Sequence, residues 1–449
     1  MTDASTATGL RNNSKPFRFS PSTYTKIGCI FSKLDDNQRA VSETSLHPNQ
    51  ARRENPLYIS AYILSVLALG QPAESAPEPK QTDSEQSKYI FYRPDGIGAH
   101  AFYTPWSTII ESGFEEYGSR PLSQLDLFKG HRNVFSGLIR PREAIQNYGV
   151  DNFIYQQLLP GFWVKDATPS YLPNYLWHLI GGGFRFRQMM EYYEHHNYSH
   201  PQLMSWLTLY AGHWLNEAVQ AQKFSMGSAD AVADLLLFDW IGKVLFLSTP
   251  VAEFFADFFH LKDWTFQTFW DPLSNSLVNT GQLYWARLPL YWGLSLSTIT
   301  GHTVNAVNLT YSGDEDQTQW TFGLGLQASG FTVSDNDDLA PAAFQQSLFL
   351  SYSELDNPLV VIVAKEALPG NELYQDTPAG TTQIRPDNYA LAPSINISVY
   401  PKWLELFEQK LAVSVIWERE SFFIGVGAGA LPIGLSLSTP LQEKYLDDY

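Results

Sequence analysis

The hexapeptide Gly-Leu-Ser-Leu-Ser-Thr occupies residues 293–298 and is repeated at residues 434–439. A Leu-Pro pair lies a few residues before each copy, at Leu288-Pro289 and at Leu431-Pro432. Leucine alternating with serine or threonine has a period of two, which is the period of a β-strand with one apolar and one polar face. Because the copies lie in the first and last such runs of the final third of the chain, the sheet there has similar end strands and is predicted to close on itself as a barrel.

Further runs of period two lie between the two copies. The clearest are at 320–327, 411–417 and 422–428, and weaker ones lie near 303–311, 347–353, 358–364 and 389–399. Turn-forming and acidic residues separate several of them, at 313–316, 335–338 and 369–371. The pattern predicts an antiparallel β-meander over residues 281–440, forming an outer-membrane β-barrel of eight to ten strands, since bacterial barrels have even strand numbers.

Two kinds of β-domain show this alternation. In an outer-membrane barrel the apolar face contacts lipid, the other face lines the lumen, and aromatic residues collect near the strand ends. In a soluble sheet the apolar face is buried against a core. Aromatic residues near the strand ends, such as Trp292, Trp320 and Trp417, favour the barrel, whereas the acidic residues at 446–449 depart from the pattern of a terminal strand.

Residues 89–275 are predicted to form a helical domain, which makes the fold class α+β with a helical N-terminal half. Three segments, at about 172–198, 202–223 and 228–262, carry apolar residues on most of their surface. This distribution is typical of helices that are buried against one another or against lipid. Pro201 suits a first helical turn, Ser228 suits an N-cap, and Pro250 predicts either a new helix or a kink.

The N-terminal region shows the pattern of an exported protein. Residues 57–69 form an apolar run that follows Arg52 and Arg53 and precedes Ala73 and Ala76. A basic region, a short apolar stretch and small residues at a cleavage point are typical of a signal peptide. We expect a targeting segment over 1–76 with a long polar extension, a disordered linker over 77–88 and a tail over 441–449. A buried helix of a soluble domain is the alternative for 57–69.

Composition limits the partners and the location. The formal net charge is −17, and nucleic-acid binding needs clustered Lys and Arg, so we expect no nucleic-acid partner. The one cysteine, Cys29, lies in the predicted targeting segment, so the mature chain would contain no thiol. We expect membrane lipid and an unidentified envelope protein as partners, and the outer membrane or periplasm of a Gram-negative-type bacterium as the location.

Four residues of the helical region are candidates for acid/base chemistry. His213 and Glu217 are four residues apart, as are Asp230 and Asp234 on the following helix, so each pair shares a helix face. Like charges at this spacing repel unless a cation or a proton lies between them. We predict that these four residues meet between the helices. Because their spacing is not that of a known metal motif, we expect no metal and no cofactor.

The same helices carry a local resemblance. The segment resembles a helical hairpin found in several uncharacterised bacterial envelope families, through the residues Gly212, Glu217, Ser228, Asp230, Asp234 and Gly242. In those families a Gly…Glu helix is followed by a helix of Ser-x-x-Asp type and a glycine. The resemblance covers about a tenth of the chain and implies an envelope location more than an activity.

Three functions are consistent with these features. The favoured one is a non-catalytic outer-membrane barrel whose helices plug or cap it from the periplasm and bind a partner, because no catalytic spacing is specific. The second is a membrane-embedded enzyme that acts on lipid or lipopolysaccharide through the four candidate residues. The third is a soluble α+β binding protein. Convergence of the candidate side chains in an open cavity would favour the enzyme.

Overall fold

The computed structural model describes residues 88–94, 96–115, 121–159, 174–221, 228–301, 304–313, 318–333, 339–366, 394–406, 409–418, 421–429 and 431–440. All of these residues belong to a single unit. The predicted targeting segment 1–76, Cys29, the tail 441–449 and nearly all of the linker 77–88 lie outside the described residues. The predictions made for them remain predictions.

The helices precede the strands in the chain. The α-helices of the described residues are α1 Pro105–Gly113, α2 Leu127–Ile139, α3 Pro141–Tyr148, α4 Val150–Asn152, α5 Gly182–His195, α6 Pro201–Ala221, α7 Asp230–Ala233, α8 Asp239–Leu247 and α9 Thr249–Glu253. Four π-helices join them, π1 Phe153–Leu158, π2 Asn174–Gly181, π3 Asp234–Phe238 and π4 Phe254–Phe258. Two 3₁₀ helices lie at Gly98–Phe102 and Leu122–Gln124. Within the described residues, none of the helices has the length and apolar character needed to cross a membrane.

Local capping and proline signals explain several helix starts. At α1 the Thr104 side chain accepts a hydrogen bond from the Ser107 N–H, and the Ser107 side chain accepts one from the Thr104 N–H. Ser228 Oγ accepts from the Ala231 N–H at 3.1 Å, but α7 begins at Asp230 with Ala229 as its N-cap, one residue after the predicted one. Pro250 lies in the first turn of α9 after Ser248, which is extended, so this proline starts a new helix.

One sheet contains the described strands. They are β1 Lys262–Asp263, β2 Phe269–Asp271, β3 Ser276–Val278, β4 Leu283–Pro289, β5 Leu294–Gly301, β6 Asn305–Ser312, β7 Thr318–Val333, β8 Leu339–Glu354, β9 Asn357–Lys365, β10 Ser394–Val399, β11 Glu405–Leu406, β12 Gln409–Glu418, β13 Ser421–Ala428 and β14 Gly434–Pro440. Their order is β1-β4-β5-β6-β7-β8-β9-β10-β12-β13-β14-β2-β3, with β11 beside β12. This arrangement confirms the α+β class.

The prediction of an antiparallel meander needs one correction. From β4 to β14 each strand pairs antiparallel with its neighbour in the sheet, but β14 pairs with β2 in parallel. β1 and β2 also lie inside the range predicted to be helical. Among the described strands, the hydrogen-bonded path runs from β1 to β3 without returning to β1. Closure of the sheet into a barrel therefore remains a prediction.

Apolar side chains lie on the outer face of this sheet. One cross-strand row, which we call the apolar belt, is aligned by the strand pairings and consists of Leu288, Leu296, Leu309, Phe322, Leu350, Ile362, Ile397, Val415, Ile424 and Leu437. All of its members are exposed or half-buried, and Phe322 is 53% exposed. The neighbouring positions of each strand point to the opposite face.

The opposite, inner face carries buried polar side chains, next to buried apolar ones such as Ile299, Phe349 and Val361. An inner row that we call the hydroxyl row contains Ser295, Thr310, Thr321, Ser351, Ser398, Ser414 and Ser436, and every member is buried. Neighbours in this region bond to each other, as Thr310 and Thr321 do at 2.9 Å and Ser398 and Ser414 at 2.9 Å. A water-soluble sheet exposes polar side chains and buries apolar ones, whereas this sheet exposes the apolar belt and buries the hydroxyl row, so the polarity of these two rows is reversed.

One stretch of chain, residues 264–279, packs against the inner face, and we call it the inner segment. Trp264 stacks on Trp285 of β4 with ring centroids 4.8 Å apart. Phe269 lies so close to β13 and β14 that a Cβ on Gly425 or Gly434 would come within 2.6 or 2.4 Å of its ring. Asn279 contacts β10, where Ser398 lies 3.4 Å from its amide nitrogen. Because one short segment contacts strands at both ends of the meander, the sheet curves around it.

The helices lie at the end of the sheet that carries the β4–β5 and β8–β9 turns. Gly98 has a positive φ of 63° and sits where a Cβ would be 2.2 Å from the carbonyl oxygen of Pro358, next to the β8–β9 turn. Phe102 packs on Tyr400, which precedes β11. The Arg287 N–H donates to Phe259 O at 2.7 Å, close to the β4–β5 turn. β9 ends and β10 begins at the opposite end, where Lys365 pairs with Ser394.

A buried arginine joins the helices to the sheet. Arg185 Nη2 of α5 lies 3.2 Å from Glu111 Oε2 of α1, 3.0 Å from Asp263 Oδ2 of β1 and 2.8 Å from Thr265 Oγ1. Burial alone would lower the pKa of Arg185, but Asp263 and the other groups around it raise that pKa. Burial raises the pKa of Glu111 to about 7, although Arg185 opposes this shift.

Loss of this arginine should destabilise the whole chain. We expect Arg185→Met to lower the free energy of unfolding by about 3–5 kcal/mol, because it leaves two buried carboxyl groups without their cation. The matched control is Arg140→Met, whose ion pair with Glu143 is exposed to solvent and should cost less than about 1 kcal/mol. Chemical denaturation of the purified variants measures both values, and equal costs would contradict a structural role for Arg185.

Candidate functional site

The candidate site begins with one face of α6. His213 and Glu217 are four residues apart on this helix, so their side chains lie one turn from each other. Both are buried, with exposures of 3% and 0%. Gly212 lets α1 approach closely, since a Cβ there would lie 3.1 Å from Ser112 Cβ. The polar face of α6 is therefore enclosed between helices.

A π-turn places two aspartates beside this face. The Asp239 N–H donates to Asp234 O, which is the i→i+5 hydrogen bond of a π-helix. This wider turn brings residues five apart in sequence to neighbouring positions, whereas in an α-helix they would diverge by about 140°. Asp234 and Asp239 are 3% and 0% exposed. Lys243 follows one turn later on α8.

A third element, π2, contributes His178. Three glycines let π2 and α5 approach α8 and α6 closely: a Cβ on Gly183 would come within 2.4 Å of Phe246, one on Gly242 within 2.3 Å of Leu179 O, and one on Gly182 within 3.1 Å of His213. The glycine run at 181–183 therefore serves helix packing at this site.

Asp239 is the centre of the cluster. His213 Nδ1 lies 2.7 and 2.6 Å from its two carboxylate oxygens, and Lys243 Nζ donates to Oδ2 at 3.1 Å. Burial would raise the pKa of Asp239, but His213 and Lys243 hold it well below the usual range. Burial lowers the pKa of His213. At neutral pH the centre is thus an aspartate beside a neutral imidazole, with Nδ1–H as the donor.

His178 connects this centre to a second pair of carboxyl groups. Its Nδ1 lies 3.3 Å from Asp239 Oδ1, and its Nε2 lies 3.4 Å from Asp234 Oδ2. Donor atoms of His178, Glu217 and Asp234 all lie within 4.8 Å of one another, as do those of His178, His213 and Asp239. Burial, together with Asp230, Glu217 and Asp239, raises the pKa of Asp234 well above the usual range. The arrangement is suited to holding a proton or a cation between Asp234 and Glu217.

The structure brings together three of the four predicted residues. His213, Glu217 and Asp234 lie in the cluster, whereas Asp230 is half-buried and outside both groups of donor atoms. Glu191 of α5 is not part of the cluster, because its carboxylate accepts hydrogen bonds from the N–H groups of Phe91 and Tyr92. Sequence reasoning missed the roles of His178 and Asp239. For Asp239 the available signal was its spacing of five residues from Asp234.

No protein-family model matches the chain, and the searches of curated proteins and of solved structures found no match. The local resemblance of the α6–α8 segment to envelope families therefore stays a prediction. Inference about function rests on the geometry of the sheet and of the cluster.

Asp239 should be the most sensitive position of the cluster. We expect Asp239→Asn to lower the free energy of unfolding by about 3–5 kcal/mol at neutral pH, because it leaves Lys243 buried without a counter-charge. Since the folded-state pKa of Asp239 is depressed, its contribution is present above pH 4 and is lost on acidification, so the variant should lose less stability at low pH.

The matched control is Asp151→Asn, because Asp151 is exposed on α4 and should change stability by less than about 0.5 kcal/mol. Denaturation at several pH values separates the two variants. If Asp239→Asn behaves like Asp151→Asn, the charge of Asp239 does not organise the cluster.

Proposed function

We propose that this chain is an integral outer-membrane protein of a Gram-negative-type envelope. In this proposal the sheet closes into a lipid-facing β-barrel, the inner segment fills its lumen, and the helices lie at its periplasmic end as a binding platform. The reversed polarity of the sheet is the observation that carries the proposal. The apolar belt faces outward while the hydroxyl row is buried.

The energetics of the belt support a lipid environment. Leu309, Leu324 and Leu437 are 49%, 66% and 56% exposed, and they belong to an outer face that is apolar on strand after strand. Transfer of one such side chain out of water is worth about 1.5–3 kcal/mol. Apolar patches that extend over many strands are rare on soluble monomers and mark membrane or protein contacts. Contact with lipid removes this cost around the whole sheet.

Aromatic residues cluster at the end where the helices lie. Tyr311, Trp320 and Tyr352 are aligned across β6, β7 and β8, and the last two rings lie 4.9 Å apart. Trp292 and Trp403, in or near turns at the same end, are 92% and 82% exposed. Such a girdle is typical of a membrane–water interface.

The connections support an orientation. Outer-membrane barrels have short periplasmic turns and longer extracellular loops. The turns near Trp292, Asp356 and Tyr400 are at the helical end, whereas β9 ends and β10 begins at the other end, with 28 residues of sequence between them. The helices would then face the periplasm.

A second apolar surface, on the helices, adjoins the belt. This helical apolar surface consists of Leu236, Leu237, Trp240, Ile241, Val244, Leu245, Phe254 and Phe258, each between 37% and 60% exposed. The bond between Arg287 N–H and Phe259 O holds π4 next to Leu288 of the belt. An amphipathic helix in this position would rest in the lipid headgroup region. We infer that π3, α8 and π4 lie on the periplasmic leaflet.

A second candidate function is an enzyme that acts on lipid or lipopolysaccharide. The specific observation that favours it is the position of Asp239 and Lys243 on α8, the helix that also carries Trp240 and Val244 of the helical apolar surface. Its test is mass spectrometry of lipopolysaccharide and phospholipid after incubation with the reconstituted protein. A product that disappears in Asp239→Asn would support the enzyme.

Heat modifiability tests the closed barrel. Outer membranes from expressing cells are extracted with detergent and run on a gel with and without boiling. We expect the protein in this fraction and a shift in its mobility on boiling, because a closed barrel resists detergent until heated. An unshifted band in the soluble fraction would mean that the sheet is not a membrane barrel.

A pair of arginine substitutions tests the lipid contact directly. We expect Leu309→Arg, in the middle of the belt, to destabilise the folded protein in lipid by about 2–4 kcal/mol, whereas Leu355→Arg in the β8–β9 turn should cost about 0–1 kcal/mol. Both leucines are about half exposed, at 49% and 59%. Folding titrations in lipid vesicles measure the difference. In a soluble protein Leu309→Arg would be silent, which would contradict the proposal.

A further inference from the structure

We propose that His178, Glu217 and Asp234 bind one divalent first-row transition-metal ion between π2, α6 and π3. The proposal concerns the helices and does not depend on whether the sheet is a membrane barrel. It replaces the expectation of no metal that came from sequence spacing. Its basis is the convergence of one imidazole nitrogen and two carboxylates within 4.8 Å of one another.

The distance between His178 and Asp234 suits a shared metal ion. His178 Nε2 and Asp234 Oδ2 are 3.4 Å apart, which is long for a charge-assisted hydrogen bond. Two ligands at about 2.1 Å from a tetrahedral ion are separated by about 3.4 Å. The two atoms are therefore as far apart as two neighbouring ligands of one metal ion would be. One nitrogen and two carboxylate donors suit Zn²⁺, Fe²⁺ or Mn²⁺.

The outer partners of His178 fix its orientation. Asp239 Oδ1 lies 3.3 Å from His178 Nδ1, so the proton of the imidazole belongs on Nδ1 and the lone pair of Nε2 points at Asp234 and Glu217. Asp239 is itself held by His213 and Lys243. This is the carboxylate–histidine–metal arrangement that orients ligands in protein metal sites.

A buried oxygen at this place needs a partner. Asp234 is 3% exposed, and its Oδ1 has no hydrogen-bond partner among the described residues. Leaving such an atom unsatisfied costs about 1–3 kcal/mol, and more when the group is charged. A metal ion held by Asp234 and by the fully buried Glu217 would give this oxygen a partner and remove this cost.

The second group of donors, His178, His213 and Asp239, is less suited to a cation. Both oxygens of Asp239 already face His213 Nδ1 at 2.7 Å or less, and the ammonium of Lys243 lies 3.1 Å from one of them. An added cation there would be repelled by Lys243. The group around Asp239 is therefore assigned to orienting His178. His178 is 14% exposed at its side chain, which gives a path from solvent.

The experiment uses the full chain in detergent, stripped with a chelator and titrated with Zn²⁺ and Mn²⁺ by equilibrium dialysis with elemental analysis. We expect one ion per chain. Glu217→Gln and Asp234→Asn should each weaken binding at least 100-fold, and Asp239→Asn should weaken it 10–100-fold as an orienting residue. The control His196→Gln, in the exposed turn that also contains His200, should bind as the wild type does.

A measurement on the wild type guards against variants that fail to fold. Spin-echo spectroscopy of bound Mn²⁺ should show coupling to one imidazole nitrogen, from His178. Absence of stoichiometric binding, binding that survives both carboxylate substitutions in folded protein, or binding lost in His196→Gln would overturn the site. Coupling to several imidazoles would place the ion in the exposed turn and would also overturn it.

Discussion

The buried guanidinium of Arg185 is the interaction on which the rest of the architecture depends. It lies within 3.2 Å of carboxylates from α1 and from β1, so it holds the helices and the first strand together. Separating them would leave three ionised groups buried without partners, which is far more costly than loss of an exposed ion pair. Through β1 the same network orients the inner segment that follows at Trp264. The helices and the curved sheet are thereby parts of one structure.

The sheet and its filling form a second constraint. Serine and threonine hydroxyls can face inward because they bond to one another across strands, as Ser297 and Thr310 do at 2.7 Å. The inner segment adds Trp264 and Phe266 to the apolar side chains that the strands themselves bury, such as Trp285 and Phe349. The apolar belt is then free to face outward.

The cluster around Asp239 joins two properties seldom found together in a structural core. It is enclosed, and it brings together two imidazoles, three carboxyl groups and an ammonium from π2, α6, π3 and α8. Apolar side chains would fill the same core at a lower cost in free energy, because they need no buried charges. The π-turn at Asp234 and the close approach at Gly182 and Gly242 give the arrangement its geometry, and π-turns are frequent at functional sites. The cation that we propose would account for this concentration of charge.

By itself, the sequence determined the local periodicities. Alternation predicted the strands around 293–298 and 434–439, and proline and serine signals predicted helix starts at Pro201 and Ser228, because these depend on residues close in the chain. The position of His213 and Glu217 on one face of α6 followed from the helical repeat. The tertiary structure alone decided the parallel contact of β14 with β2, the joining of Arg185 to Asp263, and the roles of His178 and Asp239. These depend on contacts between distant segments and on a turn of five residues, which an assumed period of 3.6 hides.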